Sequence, residues 1–130
     1  MLAAVDRADP AHHHVVSAIA VERSTIFLPI VVLPEATFLL EKRHGAARAA
    51  SILDRIGRGP WPISGLEPVN LQRATELMAR YADSRIGFVD AAIAALAERL
   101  ATVRVYTLDH RDFTIVRPRH APAFEVLPIA

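Results

Sequence analysis

Apolar positions recur along this chain in two rhythms, one helical and one too short to be helical. From Phe88 to Leu100 the residues Phe88, Val89, Ala92, Ile93, Leu96, Ala97 and Leu100 repeat at the three-and-four spacing of one broad helical face. Alanine, the best helix former, fills many of the remaining positions there. Leu71, Ala74, Leu77 and Met78 mark a second stripe, predicting a helix over about Val69–Tyr81. Upstream, helices are predicted from about Pro10 to Val21 with Val15, Val16 and Ile19 inward, from about Val31 to His44, and over Ala46–Ile56. Pro34 is tolerated in a first turn, Gly45 separates two of these helices, and Gly57 and Gly59 stop the second. Between the helices lie brief apolar runs at Thr25–Leu28, Trp61–Ile63, Val103–Thr107 and Phe124–Leu127, read as strands. Pro62 confines the Trp61 run to a sheet edge. Helices alternating with short apolar strands predict an α/β sandwich with a mostly parallel sheet.

Length and composition narrow this without redirecting it. The 130 residues carry no obvious linker, so a single domain over 1–130 is expected. A net charge of +1 names no partner, although acids gathered in one site would leave the remaining surface more basic than the total. Cysteine is absent, which removes disulfides, thiolate metal sites and thiol catalysis. The first residues do not have the pattern of a secretory leader, and Ile26–Leu33, broken by Pro29, is far shorter than the ~20 apolar residues of a membrane span. A cytoplasmic protein with no membrane partner is the expectation. His12, His13 and His14 are consecutive, whereas chelating pairs on a helix sit three or four apart, so they read as a solvated first turn.

Three acids carry the candidate chemistry. Asp90 falls in the first turn of the Phe88–Leu100 helix, Asp109 just beyond the Val103–Thr107 strand, and Glu35 shortly after the Thr25–Leu28 strand. Singly, each has an ordinary explanation, since carboxylates in first turns complement the helix dipole. Together they fall where open α/β sheets place their sites, near the carboxyl ends of strands. Converging carboxylates suit a hard cation such as Mg²⁺, which can polarise a phosphate and supply hydroxide. No Ser-His-Asp arrangement, Gly-rich phosphate loop or HExxH motif competes. Hydrolysis of a phosphodiester and hydrolysis of a small phosphorylated molecule both remain open on spacing alone.

At these residues the chain resembles PIN-domain ribonucleases, and within them the VapC-type toxins of bacterial toxin–antitoxin pairs. The likeness runs through LAAVDRADP at Leu2–Pro10, LPEATFLLEKRHG at Leu33–Gly45, YADSRIGFVDAAIAALAERL at Tyr81–Leu100, and TLDHRDF at Thr107–Phe113 followed by Arg117-Pro118. It implies a PIN-like three-layer sandwich acting on RNA as an endoribonuclease. By position, Glu35, Asp90 and Asp109 match acids of the family's Mg²⁺ or Mn²⁺ site, with Thr107 and Asp112 as accessory positions. A cognate VapB-like antitoxin and a homodimer are implied partners. RNA would require a cationic groove at the acids, for which Arg85, Arg111, Arg117 and Arg119 are candidates. The family's first acid and its central strand precede the segment that opens here with Met1-Leu2-Ala3-Ala4, and Asp6 and Asp9 fall in a turn that cannot replace it. A sandwich lacking that central strand is therefore expected. The alternative expectation for function is a catalytically impaired PIN-like protein acting through antitoxin or partner binding.

Overall fold

The structure, a computed structural model, describes residues 1–128. The chain packs as two compact units, Met1–Ser64 and Gly65 onward. In the first, α1 (Leu2–Val5) and α2 (His12–Ala20) lead to β1 (Leu28–Pro29), a 3₁₀ turn at Ile30–Val32, α3 (Leu33–His44), α4 (Ala46–Arg58) and β2 (Ile63–Ser64). β1 and β2 pair in parallel, Leu28 opposite Ile63 and Pro29 opposite Ser64. The Leu28 N–H donates to the Pro62 carbonyl at 2.8 Å. The run predicted from Thr25 joins this ladder only at Leu28, because Pro62 can accept but has no N–H to donate further along. Thr25 and Phe27 are correspondingly exposed.

Leu28, Leu40, Ala49, Ile52 and Ile56 form the core of this unit, with Met1, Leu2, Val5 and Trp61 packed against it. α3 and α4 share that core and turn about Gly45, whose φ of 83° only glycine adopts without strain. α4 runs on through Gly57 to Arg58 and stops at Gly59, two residues beyond the expected end at Ile56. α2 buries Val15, but Val16 faces solvent. Behind α1 lies a feature the sequence did not announce. Asp6, which follows α1, is 3% exposed, with its carboxylate 3.1 Å from Arg43 Nη1 and 3.0 Å from His44 Nε2. Burial works against its charge, yet hydrogen bonds from His44, the Ala8 N–H and Arg43 hold the carboxyl below its ordinary range.

The second unit comprises α5 (Pro68–Arg80), a 3₁₀ turn at Ala82–Ser84, α6 (Phe88–Arg99), β3 (Arg104–Tyr106), α7 (Arg111–Ile115) and β4 (Glu125–Leu127). Glu67 and Asn70 close a capping box at the start of α5, with Pro68 in the first turn. α5 packs on α6, whose Ala91, Ala92, Ala94, Ala95 and Ala97 are all buried beside Leu96. Small side chains on several faces let neighbours approach α6 closely, so burial there is wider than the predicted single face. Phe88, assigned to that face, is 40% exposed, and Leu71 lies on the open side of α5. β3 and β4 are parallel, Arg104 opposite Glu125 through Tyr106 opposite Leu127. Phe113 of α7 meets Phe124 edge to face at 5.7 Å and is 1% exposed. Arg73 grips both oxygens of Glu98 at 2.7 and 3.1 Å, and the Arg119 N–H donates to the same carboxylate. Among the described residues the parallel sheet therefore exists as two separate pairs, one in each unit, flanked by helices in an α/β arrangement.

Candidate active site

In the second unit the candidate residues are set by two turns. One precedes α6. After the 3₁₀ turn, Arg85 adopts a left-handed conformation (φ 55°, ψ 47°), Ile86 is buried, and Gly87 caps the helix. Asp90 is the third residue of α6, half-buried and engaged by neighbours. The other turn follows β3. The Thr107 N–H donates to the Leu127 carbonyl at 2.7 Å, extending the β3–β4 pairing by one bond. Its hydroxyl then accepts the Asp109 N–H at 3.2 Å and donates to the Asp109 carbonyl at 3.3 Å. Thr107 thereby folds the backbone of Asp109 into a fixed loop and leaves its carboxylate exposed. One oxygen of that carboxylate accepts the Arg111 N–H at 3.3 Å, at the start of α7.

The turns are joined. Arg111 Nη1 donates to Asp112 Oδ1 at 2.6 Å, and Nη2 donates to the Ser84 carbonyl in the turn before α6. Asp112 is buried, and α6 and α7 also pack directly. Of the sequence-predicted residues, Thr107, Asp109, Asp112 and Arg111 are thus brought together, with the Asp90 helix tied to them through Ser84. Glu35 belongs to the first unit, exposed in the first turn of α3. Arg119 is committed to Glu76 at 2.8 Å. Arg85 and Arg117 are exposed, and neither guanidinium has an ion-pair partner among the described residues. His13 and His14 are exposed, as a solvated first turn requires, whereas His12 is half-buried with Nδ1 2.7 Å from the Ala3 carbonyl.

Among the described residues no three carboxylates or imidazoles are gathered into a ready-made cation cage. Within the second unit, the carboxylates of Asp90 and Asp109 are oxygen donors of the kind Mg²⁺ or Mn²⁺ takes. Mg²⁺ commonly uses one or two carboxylates while keeping several waters.

The model of the PIN domain family matches residues 1–117. This chain belongs to the PIN-domain family. Within it, Ribonuclease VapC26 of Mycobacterium tuberculosis (strain ATCC 25618 / H37Rv) is 30% identical over 128 residues, 98% of this chain and 95% of that protein. Among solved structures, the crystal structure of Mycobacterium tuberculosis VapC20, described as a sarcin–ricin loop cleaving toxin, matches with a TM-score of 0.75. The match covers 85% of each chain at 21% identity, so it speaks for the PIN fold. The family resemblance and the α/β PIN-like architecture read from the sequence both hold, and the chain is a VapC-type PIN-domain protein. What sequence reasoning missed is the Arg111–Ser84 link. Arg111 was a candidate RNA contact because a charge beside acids suggests one, and no spacing signal pairs it with a carbonyl lying before another helix.

Proposed function

We propose that this PIN-domain protein is an Mg²⁺- or Mn²⁺-dependent endoribonuclease toxin that hydrolyses RNA phosphodiester bonds in the cytoplasm and is silenced by a VapB-like antitoxin. The observation that carries the reading is the pair of tied turns. They present Asp109 beyond a parallel strand and Asp90 in the first turn of the adjoining helix, in a chain of the VapC type. Asp90 and Asp109 would hold the cation, which when bound supplies Lewis-acid polarisation of a phosphate and a water of lowered pKa. Thr107 fixes the Asp109 loop, and the buried Asp112 anchors α7 beneath it. Arg85 and Arg117 are the cations free to meet RNA phosphates, because Arg111 and Arg119 already have protein partners. The antitoxin segment would place a basic side chain over the acids, replacing the cation's charge, and the toxin would act as a homodimer.

The test is Asp90→Asn, assayed with Mn²⁺ on a structured RNA and melted in the same buffer. Cleavage should fall by about 10²-fold or more, the scale of removing one preorganised charge-stabilising group, while the melting temperature stays within a few degrees. Equal cleavage by parent and variant would return Asp90 to the role of helix-dipole partner. One observation favours a second reading: no three acids are clustered among the described residues. On that reading the protein is a catalytically impaired PIN-like partner binder. It would cleave nothing in Mn²⁺ and still co-purify with the small protein encoded beside it.

A further inference from the structure

We infer that Arg111 is a positioning residue whose guanidinium clamps the turn before α6 to the turn after β3, and so sets Asp90 against Asp109. The inference rests on the proposed carboxylate site and goes beyond it by assigning a role to a side chain that does not itself touch metal or RNA. Three bonds converge on this residue. Its backbone N–H holds Asp109 Oδ1 at 3.3 Å, Nη1 holds Asp112 Oδ1 at 2.6 Å, and Nη2 holds the Ser84 carbonyl. The partners lie in three segments: the loop after β3, the first turn of α7, and the 3₁₀ turn that feeds α6. A planar guanidinium with donors in a fixed fork can bridge a carboxylate and a carbonyl at once, which an ammonium point charge cannot do with the same geometry.

The energetic weight of the clamp comes from its partner rather than from its own burial. Arg111 is 55% exposed, and an ion pair between two exposed groups would contribute little. The Asp112 side chain is only 11% exposed, so its charge needs a donor that stays in place. The turn on the far side of the bridge gains a tether as well. Arg85, directly after Ser84, holds a left-handed backbone that L-residues rarely adopt, and a fixed Ser84 carbonyl helps to maintain it.

The experiment compares the 130-residue parent with Arg111→Gln, Arg111→Lys and Asp90→Asn. Amide hydrogen exchange without metal reads the clamp directly. In Arg111→Gln, exchange across Ser84–Phe88 should accelerate by about tenfold or more while α4 is unchanged, with Arg111→Lys intermediate. Unaltered exchange at Ser84–Phe88 in Arg111→Gln overturns the proposal, whatever the metal results. Mn²⁺ binding, followed by the signal of free Mn²⁺ in electron paramagnetic resonance, then separates clamp from site. Loss of binding in Asp90→Asn with weakened binding in Arg111→Gln supports both. Loss in Asp90→Asn with parental binding in Arg111→Gln refutes the positioning role and leaves the site standing. Parental binding in Asp90→Asn refutes the site, and the exchange result alone then decides the clamp. In cleavage assays Arg111→Gln should lower kcat with KM nearly unchanged. A raised KM with parental kcat and a salt dependence shallower by about one charge would instead make Arg111 a phosphate contact and overturn the assignment.

Discussion

Replacing Phe113 by alanine removes the side chain on which α7, and with it Asp112 and Arg111, is seated. Phe113 is 1% exposed, and its ring meets Phe124 at 5.7 Å with the planes at 89°, the edge-to-face geometry aromatic quadrupoles favour. A buried Phe→Ala change costs about 3–5 kcal/mol, from lost transfer energy and the cavity left behind. Total stability for such a chain is ~5–15 kcal/mol, so this is a large share of it. At roughly 3–4 °C per kcal/mol for a chain of intermediate size, the melting temperature should drop by about 10–20 °C. Circular dichroism melts of parent, Phe113→Ala, Phe124→Ala and the double variant measure this. The double-mutant cycle should leave about 0.5–1.5 kcal/mol of coupling between the rings. A Phe113→Ala protein melting within about 3 °C of the parent would show that α7 is held by something other than this ring pair.

Two other outcomes follow from groups described above. Glu98 is held below the usual carboxylate range: burial opposes its charge, but the Arg73 hydrogen bonds and the Arg119 N–H outweigh it, and Asp6 is held down likewise by His44, Ala8 and Arg43. A lowered folded-state value contributes stability above the unfolded value and loses it as pH falls through the folded one. Melting temperature should therefore hold down to about pH 5 and decline below about pH 4, with Glu98→Gln flattening the acid limb; an acid limb unchanged in Glu98→Gln would refute the linkage. Gly45→Ala meets no neighbour within 4 Å but must adopt φ 83°, so it should cost about 1 kcal/mol through backbone strain alone, visible as a shifted urea midpoint with an unchanged slope.

Helix existence was legible because periodicity and propensity agree along long stretches. α3, α5 and α6 appear within a few residues of the ranges that Pro34, Gly45 and the Ala-rich face indicated. The strands were legible as places but not as lengths. How far a two- or three-residue ladder extends depends on which partner residue can donate, and Pro62 settles that for β1. Leu71 and Phe88 were misplaced because apolar spacing reports a face and not what covers it. For the site, the acids stood out by their positions after strands and in first turns. The cations were ambiguous, since an arginine beside an acid can face RNA or its own chain. Only placement shows Arg119 committed to Glu76 and Arg111 reaching Ser84. The Asp6–Arg43–His44 cluster joins the first helices to the last turn of α3, and no local pattern announces a contact over that separation.

Both strand pairs are parallel, and this bears on the order in which the chain can assemble. A parallel pair cannot be closed by a tight turn, so Leu28 can meet Ile63 only once the whole α3–α4 segment between them has been made. Likewise Arg104–Tyr106 must await Glu125–Leu127, with α7 lying between. During synthesis β1 and β3 therefore emerge with their backbone groups facing water, while the helices can already form from local contacts. Each ladder therefore closes a segment that already contains its helices. Asp109 lies just past β3, so the pairing that steadies its loop, down to the Thr107–Leu127 bond, depends on residues well downstream of it.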